Sequence, residues 1–425
     1  MGRHDKTELI LNGNITKALV TLSIPIMINS LIQTLFNLVD GIWVSKLSSV
    51  HFAATAFVWP INFLFISLGI GVSIAGTSLL SQLVGGGKIK EAKEYTNQIM
   101  AISMIMSVFF TVIGVMVSPL LIKAMGATGD LASLGNIYLR ITFLDMPFLF
   151  LFFNINSIMN SQGNTVTPTI LSGGAAILNI ILDPIFIFTF KMGIAGAAWA
   201  TLLSRALLAI VGIYMIYNTD NKLKPNFRGF KFNKDILKRV FKVGFPASIG
   251  QAGAAIGFIV LNGFVVSYGT ATVAAFGMVN RVTSLIMQPA MGIGTALTAI
   301  IGQNIGAGQM DRVVASFHKA VKITTTAGLI GCGFLLLFDQ QIIDFFIQSK
   351  DDPLVITEGI AYLRYISFSQ PLMGLFSVFQ GVFQGSGKTK YSMIMEIGRL
   401  WFVRIPMILI FKNYTNMGSS GIWFS

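Results

Sequence analysis

The chain has 425 residues, of which 54% are hydrophobic and 11% charged, against roughly 25% charged in an ordinary soluble domain. Apolar runs of about 20 residues, the length that crosses about 30 Å of hydrocarbon, recur from end to end, which excludes a soluble domain and points to an all-α membrane protein. The formal charge of +13 is spread over alternate loops rather than gathered on one surface, so orientation in a bilayer explains it and a nucleic-acid partner is not expected.

In chain order, polar residues fill the first fourteen positions and a helix is predicted near 15–45. No small-residue cleavage site is visible, so a cleaved signal peptide is not expected. Within that helix Asn29, Gln33, Asn37 and Asp40 are spaced by four, four and three, one polar stripe on an apolar cylinder. A stripe of this kind does not face lipid. A carboxylate in hydrocarbon costs roughly 2.5 to 3.5 kcal/mol on insertion scales and by default marks an ion or proton pathway. At 1.5 Å per residue, Asp40 stands about 9 Å from Lys46 at the helix end.

Further helices are predicted near 52–84, 97–122, 131–160, 168–190 and 193–217. In the fifth, "LNIILDP" sets Asn179 and Asp183 four apart and so on one face. Pro184 withdraws the hydrogen bond that would occupy the carbonyl of Ile180, leaving an oxygen free beside the acid. Asp183 lies about 12 Å from Lys191, a depth near that of Asp40. In the sixth helix, "GAAWATLLS" places Thr201 near the same level, and the small Ala197 and Ala198 permit close backbone approach. Two carboxylates, an amide, a hydroxyl and free carbonyls are hard oxygen donors suited to Na+, with Asp40, Asn179, Asp183 and Thr201 as its ligands, or to a shared proton, since neighbouring carboxylates at low dielectric do not easily both ionise. The alternative is that the two acids cross-brace helices through hydrogen bonds.

Residues 218–238 read as a cationic linker, after which the chain repeats itself. A shift of 221 aligns 25–87 with 246–308 without a gap, pairing Pro25 with Pro246 and "SQLVGGG" with "GQNIGAG". A shift of 224 pairs "YLRITFLDMP" with "YLRYISFSQP" and "GNT" at 163 with "GKT" at 387. Two six-helix lobes are expected, 1–217 and 239–425, in the same orientation and related by an axis along the membrane normal. The twelfth helix matches its counterpart from Met417 and then stops at Ser425, so it is read as truncated.

Cations gather on one side: Arg3, Lys6 and Lys17, then Lys88, Lys90 and Lys93, the segment from Lys222 to Lys242, and Arg312, Lys319, Lys322, Lys388 and Lys390. The opposite loops hold Lys46, Lys123, Lys191, Lys350 and Lys412. The positive-inside rule then places the N-terminus in the cytoplasm and the protein in the cytoplasmic membrane.

The second half offers no equivalent of the acids: Leu261 and the segment around Met407 stand at the positions of Asp40 and Asp183. Its buried charges are expected to be Arg281, Glu396, Arg399 and Arg404, of which Glu396 and Arg399 are spaced for a structural pair. Coupling is therefore expected in the N-terminal lobe. "GSGKT" at 385–389 lacks the first glycine of a phosphate loop, Gly85 to Gly87 read as a turn, and His4, His51 and His318 are scattered away from Cys332. No nucleophile with a base is visible, so an enzyme is not expected, and no cofactor beyond the coupling ion.

The double repeat, "VDGIWV" in the first helix, the "GGG" and "GAG" loops and "LNIILDP" together resemble the multidrug and toxic compound extrusion (MATE) transporters, most closely their DinF-like prokaryotic branch. The resemblance implies a twelve-helix fold and a cation site in the N-lobe at Asp40, Asn179, Asp183 and Thr201, with a backbone carbonyl at Ala197 and Tyr138 in the same network. It implies a bend of the first helix at Pro25 and drug contacts at Gln33 and Asn156; Asn37, on the stripe between Gln33 and Asp40, completes the candidate substrate set. The other bacterial branch uses acids on the seventh and tenth helices, which here, near 240–267 and 359–384, are acid-free apart from the adjacent Glu358. The expected function is a monomeric secondary antiporter that expels amphipathic, often cationic compounds in exchange for H+ or Na+. The alternatives are a lipid-linked saccharide flippase of the same superfamily, for which the clear inner cations are few, and a non-transporting truncated component.

Overall fold

The computed structural model describes residues 6–219, 221–346 and 353–425; Arg3, His4 and Lys350 fall outside them. The first half comprises Thr7–Leu11 (α1), Ile15–Ser45 (α2), Ser49–Gly85 (α3), Ile89–Ala124 (α4), Gly129–Leu144 (α5), Met146–Ser161 (α6), Val166–Pro184 (α7) and Ile194–Asn218 (α8). The second comprises Lys234–Val266 (α9), Thr270–Gly306 (α10), Met310–Leu337 (α11), Asp339–Phe346 (α12), Pro353–Gly385 (α13), Thr389–Ile397 (α14), Ile405–Tyr414 (α15) and Ser420–Phe424 (α16). Among the described residues nine helices are long and apolar enough to cross a membrane, and α5 with α6 passes the same test as a pair bent by 44°. The chain is a multi-pass helical membrane protein.

Two predicted spans differ in detail. The fourth, expected unbroken over 131–160, bends at Asp145 between α5 and α6, where Pro147 cannot bond the carbonyl of Phe143; Thr111 Oγ1 donates to that carbonyl instead, at 2.8 Å. The fifth runs through Pro184 into a π-helical turn, Ile185–Thr189. In the second half the segment 389–414 contains a second π turn, Gly398–Arg404, and carries Glu396, Arg399 and Arg404, which keeps it out of the apolar set. The short α1 and α12 were not expected.

The repeat is visible in the packing. Leu19 and Leu22 of α2 join a core with Ile293 and Ala296 of α10, and their equivalents Val240 and Val243 of α9 join Val72 and Ala75 of α3. Each lobe thus sends the start of its first long helix onto the other. Small residues permit this: a Cβ at Gly71 would stand 1.9 Å from Ser248 Oγ, and one at the equivalent Gly292 2.5 Å from Met27 Cγ. The turns repeat as well, with left-handed glycines at Gly87 and Gly308 (φ 69° and 73°) and at Gly163 and Gly387 (φ 75° and 72°).

At the cationic face the ends of α3 and α10 cross. Gln82 Nε2 donates to the carbonyl of Gly385 at 2.9 Å, and Gln303 Nε2 donates to that of Ser161 at 2.7 Å. Toward the opposite face the cores separate: one cluster is built from Val58, Leu139 and Phe143 of the first half, another from Leu261, Val279 and Leu363 of the second. The lobes share cores at the cationic end and diverge beyond it.

Candidate functional site

The acids predicted on separate helices meet inside the first lobe. Asn179 and Asp183, both 0% exposed, lie on one face of α7, and Asn179 Nδ2 donates to Asp183 Oδ1 at 3.0 Å and to Thr201 Oγ1 of α8 at 3.2 Å. Asp40 of α2 is close enough to Asp183 for the two charges to repel. Three oxygens here are buried without a hydrogen-bond partner: Asp40 Oδ1, Asn179 Oδ1 and Asp183 Oδ2. Buried acceptors are rarely left so; the two carboxylate oxygens are free to receive a proton, and all three a hard cation.

The backbone around them is arranged by small residues and the π turn after Pro184. Gly196 of α8 lies against that turn so closely that a Cβ would stand 2.7 Å from the carbonyl carbon of Phe186. This seats Ala197 in a cluster with Val44 and Ile187, against which Tyr138 also packs. Among the described residues no three His, Cys, Asp or Glu side chains gather as in a transition-metal centre; any bound ion would depend on the amide, hydroxyl and carbonyl oxygens as well.

The polar stripe of α2 lines three cavities in succession. Asn37 and Asp40 face one of about 510 Å³, shared with Tyr138, Thr201, Arg205 and Asp145. Gln33 faces a small one of about 30 Å³, also bounded by Thr201 and Arg205. Asn29 and Asn156 face a third, of about 320 Å³, between the lobes. The structure therefore brings Asp40, Tyr138 and Thr201 to one cavity, with Asn179 and Asp183 bonded behind Thr201, and sets Gln33 and Asn156 apart from each other. Pro25 lies inside α2, which continues through it; its carbonyl accepts a hydrogen bond from Thr169 Oγ1 at 2.7 Å.

Sequence reasoning missed a charged pair in the same cavity. Arg205 of α8 donates to Asp145 at the α5–α6 bend, and the two form an ion pair. The available signal was an arginine within "TLLSRALL" and an aspartate just before Pro147, both inside predicted spans and both ionisable. In the second lobe one expectation is corrected: Glu396 takes its hydrogen bond from Gln380, not from Arg399. The guanidinium of Arg399 lies 5.0 Å from the ring of Phe376, with Nη1 3.7 Å from Met373 Sδ; an aromatic face and a thioether make its direct contacts, and Glu396 attracts it through charge without a hydrogen bond. Arg281, grouped with the buried charges, is exposed. His51 is tied to the start of α3 by a 2.7 Å contact of Nδ1 with Ser48 Oγ, and His318 packs on Phe317.

The MatE family model matches residues 25–185 and 246–410, so one family unit occurs twice, beginning each time at the paired prolines Pro25 and Pro246. The chain belongs to the MatE family. MatE is a transporter family, not an enzyme family. This MatE chain is 30% identical over 413 residues, 96% of its length and 91% of the relative's, to the probable multidrug resistance protein YpnP of Bacillus subtilis (strain 168). It is similar to the crystal structure of a MATE protein in complex with MaL6, with TM-score 0.93 and 29% identity over 99% of this chain and 94% of that one. It is also similar to a multidrug resistance MATE transporter of the MOP superfamily in an outward-facing conformation, with TM-score 0.92 and 29% identity over 99% and 93%.

Proposed function

We propose that this chain is a secondary antiporter that exports amphipathic, often cationic compounds while H+ or Na+ moves inward, by alternating access of the cleft between its lobes. The observation that carries this reading is the set of unpartnered oxygens on Asp40, Asn179 and Asp183, an intramembrane acid pair beside a cavity. Intramembrane carboxylates are costly and usually serve transport. Loading a proton or Na+ removes the repulsion between Asp40 and Asp183 and lets α2, weakened at Pro25 by the missing backbone bond, draw toward α7 and α8. Asn37 and Gln33 then leave the position in which they face substrate. Unloading reverses the movement, so ion and substrate exclude one another, the linkage that antiport requires.

In this reading Tyr138 and the carbonyl of Ala197 complete the ion site, Asn37, Gln33 and Asn156 mark the substrate path, and the cationic face lies in the cytoplasm. The flippase alternative needs a groove of free cations for a diphosphate; Arg205 is occupied by Asp145, and no charged side chain lines the cavity between the lobes. The test is purified protein in liposomes with a proton gradient or a Na+ gradient imposed alone. Substrate uptake driven by one of them supports the reading, and uptake driven by neither overturns it.

A further inference from the structure

The linker between the halves is held in one shape by the first half. Gln162 Nε2 donates to Asn221 Oδ1 at 3.0 Å, and α4 fastens the rest by two reciprocal amide contacts. Asn97 Nδ2 donates to the carbonyl of Asn226 at 2.7 Å, and Asn97 Oδ1 accepts from the Asn226 N–H at 2.8 Å. Gln98 does the same with the carbonyl of Lys231 and the N–H of Asn233, at 2.6 Å and 3.2 Å. Between these contacts the chain turns: the Phe230 N–H donates to the Phe227 carbonyl at 3.1 Å, and Gly229 takes the left-handed φ of 70° that the third position of such a turn requires.

The fastenings set its depth. Asn97 and Gln98 directly precede residues 99–122 of α4, 24 positions without a charged side chain, about 36 Å of helix against about 30 Å of hydrocarbon. Lys242 likewise precedes the 24 uncharged positions 243–266 of α9. The linker therefore lies at the boundary of the bilayer on the cationic face. It lies on the outer side too, since Asn97 shares a face of α4 with Val108, about three turns on, and Val108 is exposed. Phe227 and Phe232 are exposed, and Phe230 sits edge-on between them with ring centroids 5.6 Å and 5.0 Å away. Arg228 and Lys231 alternate with these rings, are exposed as well, and among the described residues are paired with no carboxylate. Orientation in a bilayer calls for the cations, but not for clustered rings on a fastened turn at this depth.

We propose that the turn from Phe227 to Phe232 is a docking site for an anionic phospholipid. Phe227 and Phe232 enter the leaflet at the boundary between headgroups and acyl chains, where exposed aromatic rings lose water at no polar cost. Arg228 and Lys231 bind the phosphodiester of the headgroup, the guanidinium through paired N–H groups and the ammonium as a point charge. The occupant is a lipid rather than a soluble phosphate because rings and cations share one surface at the edge of the hydrocarbon. Through Asn97, Gln98 and Gln162 the site belongs to the first half, and it stands whether or not the chain is an antiporter.

The experiment is native mass spectrometry of the full chain in detergent, titrated with phosphatidylglycerol or with phosphatidylcholine. The wild type is expected to prefer phosphatidylglycerol as its first bound lipid. Arg228→Gln with Lys231→Gln should weaken that binding by about 30-fold, at about 1 kcal/mol for each cation near an anionic surface, and leave phosphatidylcholine binding as it was. Phe227→Ser with Phe232→Ser should weaken both lipids. Lys319→Gln with Lys322→Gln, exposed cations of the same face on α11, should change neither. Undiminished phosphatidylglycerol binding in the Arg228 and Lys231 variant overturns the proposal, as does an equal loss in the Lys319 and Lys322 variant, which would assign the binding to the charge of the whole face. Should the double variant fold poorly, either substitution alone is expected to cost about 5-fold, and no loss there overturns the proposal equally. Millimolar glycerol phosphate should not displace the lipid; displacement would give the site to a soluble phosphate and overturn the lipid assignment.

Discussion

Gln82 and Gln303, 221 residues apart in the chain, each donate their amide nitrogen to a backbone carbonyl of the opposite half, at Gly385 and Ser161. Those two carbonyls are themselves related by the 224-residue shift. Beside the glutamines, Gly85 lies against the carbonyl of Gln303 and Gly306 against that of Gln82, where a Cβ would stand 2.0 Å and 1.8 Å away. The cationic face is closed by one contact made twice.

It follows that Gln82→Leu with Gln303→Leu loosens this closure. Two hydrogen bonds at about 1 kcal/mol net each amount to about 2 kcal/mol, or about 30-fold in the balance between closed and open. Labelling of a cysteine introduced at Thr298 by a membrane-impermeant reagent applied from the cationic side should accelerate accordingly. Gly306→Ala should act in the same direction, because the obstructing atom is backbone and cannot turn aside. Unchanged labelling in both variants would mean the crossing does not seal the cleft.

A second prediction concerns Arg205 and Asp145. Removing one member of a buried pair leaves an uncompensated charge and costs about 3 to 5 kcal/mol. Arg205→Gln should therefore lower the thermal midpoint of the detergent-solubilised protein, and Asp145→Asn in addition should recover most of the loss. Losses that simply add would show that the pair is not coupled.

For the acid site, Asp40→Asn is expected to abolish gradient-driven export at unchanged expression and insertion, because asparagine keeps the shape but cannot cycle a charge. Thr201→Ala removes one neutral oxygen and should reduce export without eliminating it. Export by Asp40→Asn at the wild-type rate would falsify the assignment.

The sign of the pH dependence follows from exclusion. Asp40 shares its cavity with Tyr138, Asp145 and Arg205, with Asp183 buried nearby; in the proposed antiport, protonating the acid pair favours the conformer in which substrate is displaced, so affinity at this site is expected to fall as pH falls. Measured with Na+ absent across about pH 5 to 8, where folded proteins tend to be most stable, the wild type should show the decline and Asp40→Asn a flat response. A flat wild-type response would leave Na+, competing at the same oxygens, as the coupling ion.

Much of this protein was legible in one dimension. Helix spans follow from apolar runs of membrane length, the doubled architecture from the constant shifts of 221 and 224, and the acid site from Asn179 and Asp183 four apart on a helix and from an aspartate on the polar stripe of α2. These are local or periodic signals, and a helix converts spacing into direction by its fixed 3.6-residue turn. What spacing cannot state is which face of one helix meets which face of another. That Asp145 would find Arg205, 60 residues on, and that Glu396 would turn to Gln380 rather than to the nearer-numbered Arg399, were settled by packing. The same holds for the stripe of α2, continuous along the helix yet parted among three cavities. Burial makes each polar group take whatever partner the neighbouring helices bring within reach, and that choice is a property of the assembled bundle, not of the order of its residues.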